Sequence, residues 1–134
     1  MQIQLRNDHR ELLFLFAAAA YPHESCGLLL GQGTTIEAIV PADNVATDPA
    51  RSFEIDPKAL FAVQRRARGG GLPILGYFHS HPSGDCTFSA RDLAGVSRAG
   101  EIWLLVARTS LTACRTVVHG DGFRFESIGI SVVA

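Results

Sequence analysis

Cysteine is scarce in this 134-residue sequence: Cys26, Cys86 and Cys114 make an odd number, and no two form a C-x-x-C pair. That argues against a disulfide framework or a four-cysteine zinc knot, and it makes a reducing cytoplasm the expected compartment. An excess of either charge is missing too, with 12 Lys and Arg against 13 Asp and Glu and a formal net charge of −1. Such a balance leaves no electrostatic footprint for nucleic acid or an anionic membrane. Arg65, Arg66 and Arg68 do cluster, but at an expected helix end, where cations meet the C-terminal dipole favourably. Long apolar runs are absent as well. LLFLFAAAA at 12–20 is too short to span a bilayer. There are no repeats, low-complexity tracts or interdomain linkers, so the expectation is one domain over 1–134.

What is present is a core-forming composition, 47% hydrophobic, with alternating element types. Ile3 and Leu5 suggest a short strand. The 12–20 run has the size of a signal-peptide core, yet Asp8 and Glu11 put acid where such a leader is basic. It reads instead as an alanine-rich helix, capped at Asn7 or Asp8 and broken before Pro22. SCGLLLGQG and TTIEAIVPA suggest a hairpin turning near Gln32 and Gly33. A polar loop follows, with a brief strand around Phe53 and Ile55. Asp56 and Pro57 open a helix that stops at three glycines. After it come a strand at 72–80, a short helix from Ser89, and three strands over 101–130. The pattern predicts an α/β fold, a mixed curved β-sheet flanked by helices. Trp103 and Phe61 are expected in its core.

The stretch HSHPSGDCTFSARD, residues 79–92, stands where an apolar strand should emerge into solvent. His79 and His81 are two apart on a strand end, so both point to one side. Converging imidazoles are natural zinc ligands, and Asp92, in the first turn of the next helix, adds a carboxylate from a second rigid element. Three such ligands leave a fourth tetrahedral position for water, the mark of a catalytic site. Plain structural roles also fit. Either histidine could be an ordinary buried or solvent-facing side chain, Ser89 and Asp92 match a capping box, and Asp85 beside Gly84 reads as a turn residue.

His79, His81, Ser89 and Asp92 meet the spacing H-x-H-x7-S-x2-D, which resembles the JAMM (MPN-plus) metalloprotease motif. PHESCGLLLG, residues 22–31, resembles the upstream segment that carries that family's glutamate, here Glu24. Asn44 and the run FEIDP at 53–57 are similar to the short prokaryotic branch, so the likeness runs in order over roughly 1–107. Two departures stand out. Phe88 replaces the proline many members have before the serine. Cys86 lies where a thiolate would compete for the open metal position, although a small buried or solvent-facing thiol is the simpler reading.

The resemblance implies a JAMM/MPN, cytidine-deaminase-like architecture and a zinc peptidase or isopeptidase. One zinc on His79, His81 and Asp92 would lower the pKa of bound water from about 16 toward 7. Glu24 would act as general base and then general acid, and Ser89 as oxyanion donor. The implied substrate is a ubiquitin-like or sulfur-carrier protein cut after its C-terminal Gly-Gly. The oligomeric state stays open, a homodimer included. A scaffold built on the same fold without metal is the alternative, which the retained ligand set opposes. A zinc deaminase would need H-x-E and P-C-x-x-C, and the chain has neither.

Overall fold

A computed structural model describes all 134 residues and has seven strands and three helices. In chain order these are β1 (Gln2–Arg6), α1 (Asn7–Ala20), β2 (Cys26–Gln32), β3 (Thr35–Ala42), α2 (Pro57–Arg68), β4 (Ile74–Ser80), α3 (Ala90–Ala94), β5 (Ile102–Ala107), β6 (Ser110–His119) and β7 (Gly122–Val133). The expected mixed architecture is present, and the curvature is carried through to closure. The strands form a barrel in the order β1-β3-β2-β4-β5-β6-β7. Ile3 and Leu5 are fully buried between exposed Gln2 and Gln4, and this alternation seats β1 in the ring. There it runs parallel to β7 from Gln2↔Gly129 to Arg6↔Val133, while it meets β3 at one pair, Gln4↔Thr35.

The six residues of β5, IWLLVA, are all buried, as a continuous apolar run requires when both faces of a strand are covered. Ile102, Leu104 and Val106 face the main core with Leu13 of α1, Leu29 and Phe78. Trp103 faces a second cluster with Val96 and Cys114, against which Phe53, Tyr77 and Phe88 pack. The same alternation in β4 sends Phe78 into the main core and leaves Tyr77 and His79 beside Trp103. Strand β4 lies between β2 and β5, so His79 is flanked by Cys26 and Leu105. A side chain on Gly76 would collide with the carbonyl of Ile102. Only glycine lets β4 and β5 approach so closely.

Several local expectations are corrected. Helix α1 follows β1 directly, with Arg6 at the N-cap and no side-chain cap. Asp8 is occupied by the Arg6 guanidinium, at 3.0 and 2.6 Å, so packing of Leu13, Phe14, Phe16 and Ala17 takes over the role of a cap. The strand expected around Phe53 and Ile55 reduces to a single bridge, Asn44↔Ile55. Phe61 is 58% exposed rather than core, whereas Trp103 is buried. Helix α2 begins as read, the Asp56 carboxylate accepting from the Lys58 N–H at 3.0 Å. None of the helices is long and apolar enough to cross a membrane.

Candidate metal centre

Three separate pieces of chain converge at the end of β4. The first is the turn before β2, where the Glu24 N–H donates to the Pro49 carbonyl at 2.8 Å. Its own carbonyl accepts from Asn44 Nδ2 at 3.1 Å. Next door, the Ser25 N–H donates to Ser80 Oγ at 2.8 Å and the Ser80 N–H to the Ser25 carbonyl at 3.0 Å. Glu24 is thereby stitched to both the 43–52 loop and the strand that carries the histidines. The second piece is β4 with its exit, bearing His79 and His81. The third is α3, whose start is a complete capping box. The Asp92 N–H donates to Ser89 Oγ at 3.0 Å, and the Ser89 N–H donates to Asp92 Oδ2 at 2.8 Å. The box fixes the Asp92 carboxylate before anything binds it.

That carboxylate bridges the two imidazoles. His79 Nε2 lies 3.1 Å from Asp92 Oδ1, and His81 Nε2 lies 3.0 Å from Oδ2. His81 Nδ1 is 2.9 Å from the Asp85 carbonyl, an acceptor that fixes the ring with Nε2 aimed at the site. One oxygen or nitrogen from each of Glu24, His79, His81 and Asp92 falls within 4.8 Å of all the others. Ser89 reaches the group through the cap, with its hydroxyl hydrogen still free to donate. The residues singled out from sequence are thus brought together. Cys86 is not among them. Its Sγ sits 2.8 Å from Thr112 Oγ1.

The electrostatics of the cluster are set by burial and by its own short contacts. Burial pushes His79 toward the neutral imidazole. Neither of its buried ring nitrogens has an aligned hydrogen bond, despite the short approach of Nε2 to Asp92. Burial would lower His81 as well, but its contacts with Asp92 and the Asp85 carbonyl outweigh that and raise it. Burial would raise Asp92, yet its close approach to both imidazoles and the hydrogen bond from the Ser89 N–H hold it far below the usual carboxylate range. Glu24 is pushed up to about 7, first by burial and then by Asp92 and Asp48, against the pull of His81 and Arg91. Its Oε1 is buried without a partner. Orphaned buried nitrogens and oxygens are rare and costly. A divalent cation held by His79 Nε2, His81 Nε2 and Asp92 would satisfy the orphaned His79 Nε2, and two imidazoles with one carboxylate suit such an ion.

Two further contributors, Asn44 and Phe53, entered the sequence reading through the family resemblance, which gave them no role. Asn44 organises the loop over Glu24. Its Nδ2 donates to the carbonyls of Glu24, Pro49 and Ser52, and its Oδ1 accepts from the N–H groups of Ala46 and Glu54. Phe53 stacks on His79. A cleft of about 620 Å³ opens beside the cluster, from Asp92 and Arg91 past Phe53, Tyr77 and Trp103 to Glu101. Of the loops at 43–52 and 83–88, only Ser52 lines it.

The profile of a family described as prokaryotic homologues of the JAB domain matches residues 6–119. A Haloferax volcanii protein named desampylase is 32% identical over 119 residues, covering 85% of this chain and 83% of that protein. A Thermus thermophilus protein named probable TtuB-protein conjugate cleaving protease is 35% identical over 72 residues, 54% of this chain and 48% of its own length. The solution structure of a Desulfitobacterium hafniense protein superposes with a TM-score of 0.76 at 26% identity, covering 99% of this chain and 94% of that one.

Proposed function

The chain belongs to the prokaryotic JAB-domain family, and from that premise we propose that it is a zinc-dependent isopeptidase that releases a ubiquitin-like or sulfur-carrier protein after its C-terminal Gly-Gly. The observation that carries the reading is the buried quartet Glu24, His79, His81 and Asp92, with His79 nitrogens and a Glu24 oxygen left unpartnered. The names of the relatives, a desampylase and a protein-conjugate cleaving protease, support action on a protein conjugate. The three free cysteines support a cytoplasmic setting.

In this reading His79, His81 and Asp92 hold the ion. Bound there, zinc supplies Lewis acidity toward water and the scissile carbonyl. Glu24, buried and proton-hungry near neutral pH, takes the proton of the attacking water and returns it to the leaving amine. Ser89 donates its free hydroxyl hydrogen to the carbonyl oxygen as negative charge develops there. Burial of the quartet keeps competing water away and strengthens each of these contacts.

The test is metal analysis together with cleavage of a carrier protein linked through Gly-Gly to a lysine. Wild-type protein holds about one zinc per chain and cleaves. His81→Ala loses both properties. Glu24→Gln keeps zinc and loses ~10²–10⁴-fold in rate. Zinc-loaded wild type that leaves every such conjugate intact would return the chain to the scaffold reading.

A further inference from the structure

The cleft beside the cluster is more specific than the proposed chemistry alone demands. Its floor is aromatic: Phe53, Tyr77 and Trp103, with Tyr77 and Trp103 edge to face at 6.3 Å between centroids and Phe53 and Trp103 at 5.7 Å. One wall is α2, which contributes Leu60 and Phe61. Phe61 stands 58% exposed there, so the wall offers an apolar face to a ligand. The charge in the cleft is acidic. Glu54 and Glu101 line it, and the single lining cation, Arg91, lies 3.5 Å from the carboxylate of Asp48. Arg98 is exposed and does not line it. Glu101 is half-buried, and its Oε1 is held at 3.5 Å by the Trp103 indole N–H. Burial raises its carboxyl, with Trp103, Arg98 and Tyr77 opposing.

A carboxylate at the end of an aromatic trough suits a guanidinium or ammonium on an apolar stem. The stem covers ring faces, the cation sits over their negative quadrupole, and the head meets the carboxylate. A planar guanidinium does this better than an ammonium. The strand register sets the distance. Tyr77 pairs with Trp103 two residues before His79 pairs with Leu105, and Glu101 precedes Trp103 by two more. At about 3.3 Å per residue, the cleft reaches ~7–13 Å from the level of His79, two to four residues of extended chain. The carrier tail is the constant half of any conjugate, whereas the lysine-bearing half varies, so a shaped trough can be matched only to the tail.

We propose that this cleft is a specificity site for a basic side chain, arginine before lysine, two to four residues before the scissile Gly carbonyl. The inference rests on the isopeptidase reading for its scissile bond but not for its binding chemistry. Trp103 is the chain's only tryptophan, so its emission reports occupation of the cleft with no turnover.

The experiment uses full-length, zinc-loaded protein and two readouts. In the first, acetylated peptides ending in Gly-Gly, with arginine, leucine or glutamate at the third to fifth position from the end, are titrated against Glu24→Gln while Trp103 emission is followed. Arginine peptides saturate and bind about tenfold tighter than glutamate ones. Glu101→Lys on that background reverses the order, with Glu101→Gln as a milder variant should the lysine fail to fold. In the second, wild type cleaves carrier conjugates with the same tail changes, and the preference is carried mainly by KM. Cleavage with no preference for basic tails, or equal emission changes for arginine and glutamate peptides, overturns the cleft assignment and leaves the isopeptidase standing. Arginine-selective binding without any cleavage supports the cleft and removes the isopeptidase.

Discussion

The ring of Phe53 lies flat on the imidazole of His79, centroids 4.4 Å apart and planes 17° from parallel. His79 is fully buried and neither ring nitrogen has an aligned hydrogen bond, so packing alone sets its ring plane. Trp103, edge-on to both rings, closes the box. Partners that orient a metal ligand are worth about 10–100-fold in affinity. Phe53→Leu is therefore expected to weaken zinc binding about tenfold in a chelator competition, while Phe53→Tyr keeps it. Equal affinity in Phe53→Leu would show that the strand alone orients His79.

Glu24 also makes the metal-free protein's stability depend on pH. Its folded pKa, about 7, lies above the unfolded value near 4.3. The folded state thus holds the proton more tightly, and stability falls as pH rises through that interval and then levels. Glu24→Gln removes the term. It is expected to stabilise the metal-free protein at pH 8 by about 1–2 kcal/mol after solvent screening, and hardly at all at pH 4. Thermal melts in a chelator at both values check it; an equal gain at each pH would assign the effect to packing.

In the proposed reading Ser89 has two separable duties. Its oxygen accepts from the Asp92 N–H, and its hydrogen remains for a substrate. Ser89→Ala is expected to lose about 1 kcal/mol through the missing cap and around 10²–10³-fold in rate through the missing donor, with zinc retained. Ser89→Asp restores a cap but offers no donor at neutral pH, so it should recover stability and not rate. Recovery of both would assign Ser89 to the helix alone.

Cys26 and Cys114 are buried, and burial pushes both thiols up to about 12. Native protein treated with iodoacetamide at pH 7.5 is expected to gain one adduct, on half-exposed Cys86, against three after unfolding. Cys86→Ser should bind zinc as wild type does, because its sulfur pairs with Thr112 outside the quartet. A lost metal in that variant would make Cys86 a ligand.

What could be read from the sequence was chemistry of short range. Asp56 and Pro57 start α2 because a cap and a fixed φ act within one turn. His79, His81, Ser89 and Asp92 share one strand-turn-helix unit, so their spacing alone brings them close. Glu24 reaches them through β2–β4 pairing, and only the likeness to a known motif supplied it. Phe53 looked like a strand residue since alternation with Ile55 cannot reveal that its ring faces a histidine 26 positions on. Phe61 looked like core because helical spacing marks a face, while the cleft that keeps it bare is made by β4, β5 and α3. Closure of the sheet depends on β1 meeting β7, the two ends of the chain, and no local pattern encodes that.

The single pair between Gln4 and Thr35 makes the barrel a cylinder with one weak joint. Everywhere else neighbouring strands share several paired residues, and His79 keeps Cys26 and Leu105 at its sides whether or not the joint holds. Rupture there would uncurl the ring into a ribbon, free the start of β3 at Thr35, and leave the quartet's own strands laced together. Local opening of this kind draws on the least-paired part of a structure first. The Gln4 N–H, held by the Thr34 carbonyl at 2.8 Å, is the amide whose exchange with solvent would time that opening, and the quartet's end of the molecule is insulated from it.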